Sequence, residues 1–89
     1  MTAVRIDGFL RELGAPGRWD TGAADVGRMI DELETLFPRL KLKLRDESGQ
    51  LRRFVRVFVN GEDVRNGQGL GTSLGPSDHV DILHSTQGG

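Results

Sequence analysis

The chain has no cysteine and no tyrosine, one tryptophan, two histidines and a formal net charge of -1 over 89 residues. Each shortage removes a class of function. Without thiols there is no disulfide framework, no thiolate metal site and no cysteine nucleophile, a composition that fits a reducing cytosol. A charge so near zero leaves no long-range field to steer the molecule onto nucleic acid or an anionic membrane. Arg52, Arg53 and Arg56 do cluster, and they read as a solvated strand face. No apolar run approaches the ~20 residues of a membrane span, and "MTAVRIDGFLREL" lacks the basic segment and apolar stretch of a secretory signal. The expectation is a cytoplasmic protein with no membrane or nucleic-acid partner. A chain of this length forms one domain and buries roughly 60–70% of its unfolded surface in one modest core.

What is present is patterned. Val4 and Ile6 alternate with Arg5 and Asp7, the period of a half-buried strand, and Asp7-Gly8 offers a break. Gly14, Pro16 and Gly17 signal a turn, after which Arg18-Trp19-Asp20 forms the antiparallel return of a hairpin. Val26, Met29, Ile30, Leu33, Leu36 and Phe37 fall at intervals of three, four and seven, placing one apolar stripe on a helix. Asp25 stands where an N-cap belongs and Pro38 cannot continue the helix, which bounds it at Val26 to Phe37. Asp31 and Glu34 share a face, with Arg28 three residues before Asp31, and read as a solvated acidic surface rather than a catalytic carboxylate pair.

Beyond Pro38, "LKLKLRDESGQLRRFVRVFVNGEDV" contains alternating apolar residues, a "DESG" turn, a long strand through Val59 and an Asn60-Gly61 hairpin turn. Leu40 to Leu44 fits either a strand or a short helical turn. In the long strand Val55, Val57 and Val59 face the core, while Phe54, Arg56 and Phe58 take the wetter side. Phe58 is thereby expected at the surface, where an aromatic beside arginine suits a protein-binding patch. "NGQGLGTSLGPSDH" is a glycine-rich loop pinned by Leu70 and Leu74, and its glycines do not follow the spacing of a phosphate-binding loop. The last strand turns Val80 and Ile82 inward and Asp81 and Leu83 outward, and a polar tail follows.

The chemistry-bearing side chains assemble no active site. His79 and His84, with Asp78 and Asp81, form the one imidazole–carboxylate group, but on a strand the two imidazoles lie on opposite faces. His84 beside Ser85 lacks the oriented base and oxyanion site that a nucleophile needs. The expectation is a protein that is not an enzyme and holds no metal. What remains is the α-carboxylate of Gly89, a poor electrophile until a partner activates it. The five residues from Ser85 onward can extend about 17 Å, enough to thread into another protein, and Gly88 and Gly89 are slim enough for a narrow channel.

Taken in order, the first strand, "FLRELG", "DVGRMIDELETLFPRL", "VFVNGEDV", "LGTSLGPSDHVDIL" and the terminal Gly-Gly resemble the ubiquitin-like sulfur carriers of thiamine and molybdopterin biosynthesis. "LRRFVRVFVNGEDVR" looks like the members that serve cysteine synthesis in actinobacteria. The resemblance covers nearly the whole chain. It implies a β-grasp fold of class α+β, a mixed sheet wrapped around one main helix, over residues 1–84, with 85–89 as a flexible tail. It further implies that a ubiquitin-activating-type enzyme adenylates Gly89 with ATP and that sulfur from a persulfide displaces AMP to leave a thiocarboxylate. A sulfur-accepting synthase then receives sulfide for cysteine, molybdopterin, thiamine or another metabolite. No cofactor is bound by the carrier itself. On this resemblance Gly88 and Gln87 thread beside Gly89, and Phe58, Leu83 and Arg56 form the partner-binding patch. Many relatives approach Gly-Gly through apolar, proline-containing residues, whereas this chain has "HSTQ", in which His84 and Gln87 offer hydrogen-bonding groups and solvation is the simpler role. Two alternatives share the same residues: a modifier joined to lysines through Gly89, and a plain β-grasp interaction module.

Overall fold

The structure, a computed structural model, describes residues 1–84. The expected tail, including Gln87, Gly88 and Gly89, lies outside the described residues. The strands are β1 (Thr2–Ile6), β2 (Arg18–Thr21), β3 (Val55–Val59), β4 (Glu62–Asp63) and β5 (His79–His84). The helices are α1 (Phe9–Glu12) and α2 (Val26–Leu36), with short 3-10 turns at Pro38–Leu40, Val64–Asn66 and Gly69–Gly71. The sheet runs in the order β2-β1-β5-β3-β4. β1 and β5 pair in parallel and every other neighbour pair is antiparallel, so the sheet is mixed.

Alternation decides which face closes on the helix. Val4 and Ile6 from β1, Val55 and Val57 from β3, and Val80 and Ile82 from β5 are all buried, and they meet Val26, Met29, Ile30 and Leu33 of α2. At about 1.5–3 kcal/mol for each large aliphatic side chain fully buried, this one layer supplies most of the force that holds the helix on the sheet. α2 starts where the sequence places its cap: the Asp25 carboxylate accepts a hydrogen bond from the Arg28 N–H at 2.8 Å. It ends one residue before the expected Phe37, which closes the helix through its N–H to the Leu33 carbonyl. Replacing Asp25 by alanine leaves that first-turn N–H without its side-chain acceptor, so urea denaturation of Asp25→Ala should show a loss of about 1 kcal/mol with an unchanged m-value.

One open reading is decided and one expectation is corrected. The stretch from Leu40 contributes no long strand, because Pro38 starts a 3-10 turn and Leu42 takes a left-handed φ of 63° that breaks the alternation. Leu40 and Leu44, four residues apart, both turn into the core, and around the "DESG" turn only the bridge between Arg45 and Leu51 forms before β3 begins at Val55. Of the two readings open for this stretch, the helical turn is the nearer one. The acidic face of α2 is not simply solvated either. One nitrogen of Arg45 bonds Asp31 at 2.6 Å and Glu34 at 2.7 Å, and the Glu34 side chain is only 14% exposed. The bond from Glu34, working against the cost of burial, pushes the Arg45 guanidinium above its ordinary value. Arg28 turns instead to Asp25, at 3.8 Å.

The turns follow their residues. Asn60 and Gly61 both have positive φ, as a tight two-residue hairpin of this hand requires. The Asn60 side chain then donates to Asp78 and accepts from the His79 N–H, tying the β3–β4 turn to the start of β5. The Asn60 bond, with a second from the Gly75 N–H, holds the Asp78 carboxyl below its ordinary value near 3.8. A depressed folded-state value means that this clamp favours the fold above that range and loses its contribution as the pH falls through it. None of the helices among the described residues is long and apolar enough to cross a membrane.

Candidate functional site

The face of the sheet turned away from α2 carries the residues marked for partner binding. Pairing of β3 with β5 sets Arg56 directly opposite Leu83 and Phe58 opposite Asp81, so Phe58 lies diagonally across from Leu83. Three positions separated by as many as 27 residues in the chain are thus joined by the strand register. Leu83 is 36% exposed and Arg56 reaches across to Asp63 of β4 at 3.2 Å. Phe58 faces outward as expected but is half-buried rather than prominent, since it has a paired strand on each side. Nearby, a groove of about 470 Å³ crosses the same sheet where the small side chain of Ala3 leaves room between Arg5, Arg18, His79 and Asp81.

At the C-terminal end of β5 the structure shows a second group that the sequence reading did not assemble. His84 is the last residue of the strand and not the first of the tail, and it pairs with Val55. Its ring centroid stands 5.3 Å from that of Phe9 and 6.3 Å from that of Phe54. These phenylalanines, 40% and 38% exposed, come from the start of α1 and from the residue before β3. The Arg53 guanidinium sits 5.9 Å from the Phe54 ring. His84 Nδ1 is shut off from solvent and has no hydrogen-bond partner among the described residues. Alternation had already put Phe54 outside the core. Nothing local could bring Phe9 to it, because the two lie 45 positions apart and meet only through the β1–β5–β3 order.

Neither group resembles a reaction centre. His79 and His84 occupy opposite faces of β5, and no group of three or more metal-ligating side chains gathers among the described residues. The geometry is that of a body with one presentable face and one chain end leaving beside it.

Comparison with known proteins gives this arrangement a relationship. The model of the ThiS family matches residues 4–89. The chain belongs to the ThiS family. Among curated relatives of this ThiS-family chain, the sulfur carrier protein CysO of Mycobacterium tuberculosis is 41% identical over 66 residues, covering 72% of this chain and 71% of that protein. A chain from the crystal structure of the Amycolatopsis orientalis BexX/CysO complex superposes with a TM-score of 0.85 at 33% identity, with both chains fully covered. The solution structure of small archaeal modifier protein 1 from Methanosarcina acetivorans follows at 0.83 and 26% identity, covering 99% and 95%. The fold is therefore the ubiquitin-like β-grasp that the sequence resemblance implies. Its relatives are small carrier proteins, and the ThiS-family chain is accordingly not itself a catalyst.

Proposed function

We propose that the protein is a sulfur carrier whose reactive group is the Gly89 carboxylate. The observation that carries this reading is a ThiS-family match that runs through Gly88 and Gly89 on a chain with no thiol of its own. Without cysteine the body cannot hold sulfur as a persulfide, and the family likeness supports the acyl carbon of Gly89 as the place for covalent sulfur. A carboxylate oxygen is a poor leaving group, so the step divides in two. First the carboxylate attacks the α-phosphorus of ATP in an adenylating partner of the ubiquitin-activating type, and pyrophosphate leaves. The terminal sulfur of a persulfide then attacks the acyl carbon and AMP leaves. A second thiol cleaves the S–S bond, becoming the disulfide, and the thiocarboxylate remains. A synthase finally accepts sulfide from it, for cysteine, molybdopterin, thiamine or another metabolite.

In this reading residues 85–89 thread into the partner, with Gly88 and Gln87 beside the reactive end, while Leu83, Phe58 and Arg56 dock the body. The carrier binds no cofactor and works in the cytoplasm. Intact mass spectrometry after incubation with the activating enzyme, ATP and a persulfide source tests it: one sulfur-for-oxygen exchange at the C-terminus is the expected product. A second reading, a modifier joined to lysines, draws support from the likeness to the archaeal modifier protein. It requires a ladder of lysine-linked conjugates in the same reaction. If neither product forms with several adenylating enzymes, the protein is an interaction module.

The docking face has its own prediction. Phe58→Ala should raise the KM of the activating enzyme for the carrier about tenfold, the scale of one interface anchor, with kcat kept. Because Phe58 is half-buried, the loss of folding stability should stay below the ~3–5 kcal/mol of a fully buried phenylalanine. An unchanged KM would remove Phe58 from the interface.

A further inference from the structure

We propose that His84 is a positioning residue, clasped by Phe9 and Phe54 so that the chain leaves the sheet in one fixed direction toward the activating partner. The inference rests on the carrier reading and adds a residue that the docking face does not include.

The root of the tail needs a support of its own. β1 pairs with β5 as far as Ile6 opposite Ile82, so the end of β5 loses its parallel neighbour there while β3 continues alongside at Val55. On the vacated side the chain turns at Gly8, with φ 77°, and passes so close that a Cβ at Gly8 would stand 3.4 Å from the His84 carbonyl oxygen. That turn, on the β1 side of β5, delivers Phe9 to the imidazole, and the chain entering β3, on the other side of β5, delivers Phe54. Both phenylalanines keep more than a third of their surface in water, so holding the last strand residue accounts for their placement better than filling the core does.

The lever arm makes this matter. Five residues beyond His84 reach about 17 Å when extended, so if they enter the partner as an extended arm a swing of roughly 30° at the root moves the far end by about 9 Å. Reacting atoms must come within ~3–3.5 Å. With the body already docked through Phe58 and Leu83, a loose root lowers the fraction of complexes whose carboxylate reaches the reaction centre. Loss of the clasp therefore falls on kcat and not on KM, opposite to loss of the docking face.

The test is steady-state formation of the adenylate and thiocarboxylate by the full chain, with hydrogen exchange at the Leu83 and His84 amides measured alongside. His84→Ala and His84→Asn should lower kcat about tenfold, the order expected for freeing one backbone position, with KM unchanged and exchange at those two amides accelerated. His84→Phe keeps a flat ring in the clasp and should restore both. Phe9→Ala and Phe54→Ala, at exposed positions that tolerate truncation, should reproduce the kcat loss even if a His84 variant folds poorly. An unchanged kcat in all the alanine variants overturns the proposal. So does rescue by asparagine but not phenylalanine, which would make His84 a hydrogen-bonding contact of the partner. If the wild-type chain acquires neither adenylate nor sulfur, the carrier reading itself falls and the role assigned to His84 falls with it; normal wild-type conversion with indifferent variants sinks only the clasp.

Discussion

Deleting Gly89, or adding one residue after it, should leave the melting temperature unchanged and abolish conversion of the chain to an adenylate or thiocarboxylate. The two halves of this expectation have separate causes. Among the described residues every buried core side chain lies between Thr2 and Ile82 and the last strand ends at His84, so the core is expected to stand without Gly89. The chemistry is far less tolerant. One residue changes the reach by ~3.3–3.6 Å, as large as the whole distance between reacting atoms, and misplacement of even 1 Å can cost on the order of 100-fold. An added residue also replaces the Gly89 carboxylate with an amide, which adenylation cannot use. Calorimetry and intact mass spectrometry on the same preparations decide the matter. Cooperative melting that disappears on deletion would make the tail part of the fold, and conversion that survives extension would move the reactive carboxylate elsewhere.

The second large effect concerns the body. Leu33→Ala should cost about 2–5 kcal/mol, because Leu33 is wholly buried at the centre of the contact between α2 and the sheet, and neighbours can relax only partly into the space left. A domain of this size has a total stability of roughly 5–13 kcal/mol, so the variant could lose a third or more of it and melt on the order of 10–30 °C lower. Leu36→Ala, one turn on and 55% exposed, should stay within about 0.5 kcal/mol. Urea titration checks both, and a Leu33 loss below about 1 kcal/mol would mean that the helix is not seated on the valines of β3. Below its melting point Leu33→Ala should still be converted normally, since the outer face and the end of β5 remain as they were.

The parts of this fold that were legible in the sequence are those governed by local period. Alternation assigned Val55, Val57, Val80 and Ile82 to the core and Leu83 to the outer face, and the three-four spacing placed Met29, Ile30 and Leu33 on one stripe. Asp25 and Asn60-Gly61 were legible because capping and tight turns depend on one or two residues. Legibility failed where a long-range partner overrode the period. "LKLKL" alternates like a strand, but a 3-10 turn from Pro38 and a left-handed Leu42 break it, leaving Leu40 and Leu44 buried and Leu42 exposed. Arg45 reaches an acidic pair on α2 more than ten residues earlier in the chain. The brief helix of α1 offered too few residues for a periodic signal, and its Leu10 is fully buried. The proposed docking residues could be named from alternation and resemblance together, whereas the cluster of Phe9, Phe54 and His84 exists only once three strand ends are brought side by side.

The place of β5 also sets when the protein can fold. Among the described residues it is the last strand in chain order and the middle one of the sheet, with β1 on one side and β3 on the other. Until it emerges from the ribosome, the β2–β1 hairpin and the β3–β4 hairpin have no common partner, and α2 has only fragments of a surface to rest on. β5 must therefore be synthesised before the compact body can form. A chain cut short before β5 lacks the centre of the sheet, and with it the strand that sets Leu83 opposite Arg56 on the outer face.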